Sequence, residues 1–302
     1  MIDAKNDSLR QPALNLNIAR AYLAGADSGF STRTWRNVLE SLIATKRGST
    51  QARWMRAGKD KTLVPLLDKT VAETQTEHFF AALNTGTVST NVHLRKLHNF
   101  ALSVGWLPWP IMPKRPWPEI VFKEKRAITE AEHQKIVAQE KNPEYRAFYE
   151  LLWHLGGSQG DMAHLCTENV EWHDRTIAYF RIKTGSSVIV HFGEAVEGIL
   201  KALPQQGPLF PNILKSRESD RATCFKRRCT LCGIFGVTLH SYRYAWAERA
   251  RTAGVPERFA QEALGHNSAA VHRAYAKKAK VKIPSLEEYE RKIVPMPVAV
   301  NQ

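Results

Sequence analysis

Residues 240–275 read HSYRYAWAERARTAGVPERFAQEALGHNSAAVHRAY, and three pieces of this run constrain the rest of the chain. They are His240-Ser241-Tyr242-Arg243, Leu264-Gly265-His266 and Tyr275. His240 precedes Arg243 by three residues, which puts both on one face of a helix. Taken singly, each piece is feeble. Tyr275 is one of 8 tyrosines, and a helical tyrosine more often packs than reacts. His266 follows a glycine and reads equally well as a contact at a helix C-terminus.

As a set, joined by Lys183, they describe a chemistry. Lys183 sits in Lys183-Thr184-Gly185, between the strand-like runs 176–182 and 187–192, which together read as a hairpin. Phosphodiester transfer through a protein–phosphate ester needs a nucleophilic hydroxyl, and Tyr275 supplies one. It needs cations and donors where charge gathers on the non-bridging oxygens, a task for Arg243 and His266. A proton must be accepted and another donated, for which His240 and Lys183 are the candidates. Chemistry of this kind calls for no metal and no cofactor.

Working outward, helical periodicity starts at Ser31, with Trp35, Val38, Leu39, Leu42 and Ile43 at three-to-four-residue spacing. Further apolar stripes follow at 63–67, 74–83 and 89–104, so residues 31–105 read as a bundle of four or five helices. The last stripe carries Arg95 and Lys96 on its other face, the best candidates there for groove contact. Residues 106–118 hold five prolines and three tryptophans, a composition that blocks helix and marks an extended linker. The expected organisation is therefore an arm at 1–30, a helical domain at 31–105 and a linker at 106–124. A mostly helical domain with one small antiparallel sheet at 125–280 and a tail at 281–302 complete it.

These motifs resemble the phage-integrase-type tyrosine recombinases. His240-x-x-Arg243 matches the family's His-x-x-Arg box, Leu264-Gly265-His266 its Leu-Gly-His, and Tyr275 stands nine residues beyond His266 like the family nucleophile. Lys183 matches the hairpin lysine. The resemblance implies an N-terminal helical (SAM-like) core-binding domain and a C-terminal mixed α/β catalytic domain that together clamp double-stranded DNA. It implies site-specific recombination or integration through a covalent 3′-phosphotyrosine intermediate at Tyr275, by two or four protomers on paired half-sites. The segment 283–294 is amphipathic and would dock on a neighbouring protomer or pack in its own.

One departure stands out. The family's first catalytic arginine belongs in a stretch that here reads Leu155-Gly156-Gly157-Ser158-Gln159-Gly160-Asp161. With Asp161 aligned to the family's glutamate, Ser158 takes the arginine's place; a shift of one residue puts Gln159 there instead, and neither side chain carries positive charge. A lost phosphate clamp costs on the order of 10²–10⁴ in rate. The alternative reading is thus a catalytically impaired DNA-binding protein on a degenerate recombinase fold, unless another arginine, such as Arg221 or Arg227, fills the gap.

The bulk composition is compatible with this. The 302 residues suffice for two domains, and 43 Lys and Arg against 29 Asp and Glu give +14, which favours a polyanionic partner. No run of eighteen apolar residues predicts a membrane span, and residues 1–20 lack the layout of a secretory signal. The expectation is a cytoplasmic protein of bacterial or phage-derived origin, from a mobile element. Cys224, Cys229 and Cys232 lie close together but lack the second ligand pair of a structural zinc site, so reduced thiols beside a helix are the favoured reading.

Overall fold

The computed structural model describes residues 12–121, 124–266 and 268–280. The arm before residue 12 and the tail at 281–302, with its amphipathic segment, lie outside the described residues. The chain divides into two compact units, Met1–Lys123 and Glu124–Gln302.

In the first unit, α1 (Pro12–Ala26) precedes five helices. These are α2 (Trp35–Ala44), α3 (Gly48–Ala57), α4 (Val64–Leu67), α5 (Thr76–Thr85) and α6 (Val88–Ser103). Thr34 starts α2 by accepting the Asn37 amide, while Asn37 returns a bond to the Thr34 amide. The core gathers Trp35, Val38, Leu42, Leu67, Phe79, Leu94 and Leu97. The Trp35 indole N–H donates to Thr74 Oγ1 at 2.8 Å, so the buried ring leaves no donor unpaired.

The proline-rich stretch lies on this same core. Leu107 and Met112 are buried in it, and Trp106 and Trp117 pack against it, whereas Trp109 is exposed. Since proline cannot supply ladder hydrogen bonds, side chains tie the segment down. Thr76 Oγ1 donates to the Ile111 carbonyl, and the Trp117 N–H donates to that of Met112.

The second unit is helical around a three-stranded antiparallel sheet of order β1-β2-β3. Its elements start with α7 (Glu130–Gln139), α8 (Pro143–Leu155) and α9 (Gln159–Ala163). The strands β1 (Val170–Glu171), β2 (Thr176–Phe180) and β3 (Ser187–His191) come next. Helices α10 (Glu194–Lys201), α11 (Pro211–Lys215), α12 (Glu218–Leu231), α13 (Ser241–Thr252), α14 (Glu257–Leu264) and α15 (Ala269–Tyr275) follow.

Helix α8 begins with Asn142 accepting two backbone amides and buries Phe148, Tyr149, Leu151, Leu152 and Leu155. Gly156 ends it at φ 63°, a left-handed conformation that glycine adopts without steric cost. Tyr242 of α13 is fully buried among Tyr149, Phe225 and His133. That anchor fixes the start of α13, and with it the directions of His240 and Arg243 on either side. Among the described residues no helix is long and apolar enough to cross a membrane.

Candidate active site

Helices α13, α14 and α15 meet where the motif residues fall. His240 is the residue before α13 and already has helical dihedrals (φ −67°, ψ −20°), so it continues the face that carries Arg243. Its Nε2 lies 2.6 Å from the Tyr275 hydroxyl. The Tyr275 ring stacks on Tyr244 with centroids 4.3 Å apart, and His266 lies 4.4 Å away on centroids. Arg243 stands over the same ring, at 5.8 Å. Four of the five motif residues, His240, Arg243, His266 and Tyr275, therefore share one site.

Arg243 is 3% exposed, and its guanidinium joins three segments. Nη1 donates to the Gly156 carbonyl at 2.9 Å, and Nη2 to the Leu264 carbonyl at 2.6 Å. Nη2 also lies 3.2 Å from His266 Nε2. Arginine has no acceptor, so His266 Nε2 must be the lone-pair nitrogen and its proton sits on Nδ1. That nitrogen faces His272 Nδ1 at 3.4 Å. In this state His266 orients Arg243. Arg243 Nε is buried with no hydrogen-bond partner among the described residues.

Lys183 occupies the β2–β3 turn and is exposed. It makes no hydrogen bond among the described residues, yet its charge reaches His240. The site is short of anions, and this shows in its histidines. Burial, then Arg243, Lys125, Lys183 and Arg181, lower the His240 pKa to about 4. Burial, then Arg243, His272, Arg181 and His240, lower that of His266 to about 3. Both rings are neutral at pH 7, which leaves His240 able to accept the tyrosine proton.

These depressed values make stability depend on pH. The unfolded chain takes up protons near pH 6.5 and the folded site resists them, so stability is full above about 6.5 and is lost as pH falls toward about 4. The melting temperature at low salt should drop between pH 6.5 and 4.5, where most carboxylates remain ionised. His240→Gln combined with His266→Gln should reduce that slope without abolishing it, because burial also lowers His93, His98, His154 and His272. An unchanged slope would show that neither ring is held neutral.

Ser158 is the N-cap of α9, and its hydroxyl donates to Asp161 Oδ2 at 2.8 Å. Asp161 is 4% exposed, and its Oδ1 accepts the Ile182 amide. The same Oδ2 also accepts from Nε of Arg181, at 3.2 Å. Arg181, just past β2 and 9% exposed, continues across the site. Its Nη1 donates to the carbonyls of Leu264 and Gly265. The Leu264 oxygen thus receives both Arg181 and Arg243. A Cβ on Gly265 would overlap the Arg181 side chain, so glycine is required there for packing as well as for its φ of 55°.

Arg181 and the buried His272 are the site residues that sequence reasoning missed. The two arginines proposed for the gap lie elsewhere. Arg221 donates to the carbonyls of Ile213 and Ser216 at the start of α12, and Arg227 is exposed on that helix. Of the pair on α6, Arg95 is held by Asn91 and the Pro118 carbonyl, and Lys96 is exposed. Cys229 is buried, with its thiol pushed up to about 12 by burial, and Cys224 is exposed. No group of three or more metal-ligating side chains occurs among the described residues.

The profile of the phage integrase family matches residues 126–282, just over half of the chain. The chain belongs to the phage integrase family. No curated protein matches it by sequence. Solved structures do match by fold. A lambda integrase dimer bound to a COC′ core site superposes with TM-score 0.70 at 18% identity, over 87% of this chain and 83% of that one. A lambda integrase tetramer bound to a Holliday junction gives 0.66 at 18%, over 88% of each chain. The Tn1549 transposon integrase (residues 82–397) in complex with circular intermediate DNA gives 0.61 at 14%, over 86% and 99%. At such identities the likeness establishes the family's fold, mainly α with one small antiparallel sheet.

Proposed function

We propose that this chain is a site-specific tyrosine recombinase that cuts and rejoins duplex DNA through a 3′-phosphotyrosine bond at Tyr275. The observation that carries the reading is the 2.6 Å approach of a neutral His240 to the Tyr275 hydroxyl, beside the buried Arg243. The hydroxyl donates to His240 Nε2, which takes the proton as the phenolic oxygen attacks phosphorus. The bond from phosphorus to the 5′ oxygen breaks, and that oxygen leaves with a proton from Lys183. Arg243 and its neighbours neutralise the charge on the non-bridging oxygens. Reversal with another strand's 5′-hydroxyl reseals the backbone and restores the tyrosine, so the phosphoester bond count is conserved.

The reading assigns residues 31–105 to core binding, residues 125–280 to catalysis and 106–124 to the linker between them. The charge of +14 matches a DNA partner, and the exposed Lys96 can meet a phosphate, whereas Arg95 braces the linker. Related folds are seen on DNA as a dimer and a tetramer, and we assign the same assembly here.

The test is covalent capture. Full-length protein is incubated with a library of randomised duplexes, each nicked so that the short 5′-hydroxyl fragment diffuses away after cleavage. The expected product is a denaturation-resistant adduct whose modified peptide contains Tyr275. Salt-dependent duplex binding with no adduct would leave the impaired, non-cleaving protein that Ser158 motivates.

A further inference from the structure

We infer that Arg181 replaces the arginine missing at Ser158, supplying the second phosphate-facing cation of the site from the neighbouring strand. The inference rests on the recombinase reading for its substrate, but its geometry is independent of it. Ser158 and Arg181 converge on one atom, Asp161 Oδ2. A side chain too short to cross the pocket caps α9, and a long cationic one reaches over the same carboxylate from the end of β2. Arg181 then meets Arg243 at the Leu264 carbonyl.

Two buried guanidinium groups sharing an acceptor repel each other, and Asp161 is the one carboxylate that either contacts among the described residues. A site built this way favours an anion arriving between its cations. Both charges also act on the two histidines beside Tyr275, which places Arg181 within electrostatic reach of the reacting atoms. Arg221 and Arg227 have no such relation to the site.

The experiment compares wild type, Arg181→Gln, Arg181→Lys and the double variant Ser158→Arg with Arg181→Gln. It uses the captured duplex and, separately, thermal stabilisation by orthovanadate, a mimic of the phosphoryl group in transit. Arg181→Gln should lose adduct formation at least about 100-fold while duplex affinity stays within about threefold, since phosphate contacts elsewhere dominate binding. It should also lose the vanadate shift. Restoring an arginine at position 158 should recover about tenfold or more, which a purely structural role for Arg181 would not allow.

Wild-type cleavage rates in Arg181→Gln, or an undiminished vanadate shift, would overturn the proposal. Should Arg181→Gln fail to melt cooperatively, Arg181→Lys decides. One ammonium cannot span the Asp161 carboxylate and the two carbonyls as the guanidinium fork does, so a loss of about tenfold or more is expected, and wild-type behaviour overturns the assignment. A wild type that forms no adduct, yet shows a vanadate shift absent from Arg181→Gln, retains Arg181 as an anion ligand and discards the recombinase reading. A wild type that shows neither overturns both.

Discussion

Tyr275→Phe should fold, bind duplex DNA as wild type does, and form no covalent adduct, a fall of at least about 10⁴-fold. The substitution removes one oxygen, whose hydrogen-bond partner is His240 Nε2. The ring keeps its stack on Tyr244 and its contact with His266. Losing one such bond costs about 1 kcal/mol of stability, so the melting temperature should shift only slightly. Adduct mass and gel shift measured on one preparation check the prediction. A surviving adduct of unchanged yield would mean that another side chain carries the DNA.

Arg243→Gln should be nearly as severe in rate and far worse in stability. Its guanidinium is the common partner of the Gly156 and Leu264 carbonyls and of His266. Leu264 keeps its bond from Arg181, but the shorter neutral side chain cannot serve both the Gly156 carbonyl and His266, and an acceptor left unpaired in this buried place costs roughly 1–3 kcal/mol. A drop of about 10³-fold or more in adduct formation is expected, together with a melting temperature lowered by several degrees. Arg243→Lys should keep more of the stability than of the rate, since charge is retained while the fork is lost. If Arg243→Gln cleaved normally, the phosphate clamp would have to lie elsewhere.

The sequence made the motif residues visible because a helix turns spacing into direction. His240 and Arg243 fall on one face whatever surrounds them. The hairpin around Lys183 was legible for a similar reason, through alternation and a Thr184-Gly185 turn. Helix α3 escaped notice because it opens at Gly48 after Arg47, which offers no capping side chain, and so resembles the end of α2. Strand β1 is two residues long and carries no period at all.

Arg181 could not be found this way. Its partners at Leu264 and Gly265 lie 83 and 84 residues away along the chain, and at Asp161 it is 20 residues distant. In the sequence it is one charged residue at the end of an amphipathic strand. His272 was hidden likewise, since its importance comes from facing His266 across a turn.

The Asp161 carboxylate, reached from one side by a helix cap and from the other by a strand end, has a bearing on descent. If either route can deliver the positive charge, the ancestral position becomes free to drift once the second is occupied. The two sites would then exchange duties among kindred sequences: arginine at the helix start or at the strand end, seldom at neither. A lineage lacking the signature letter would keep its activity, and counting letters in a motif would misjudge such a gene as a relic.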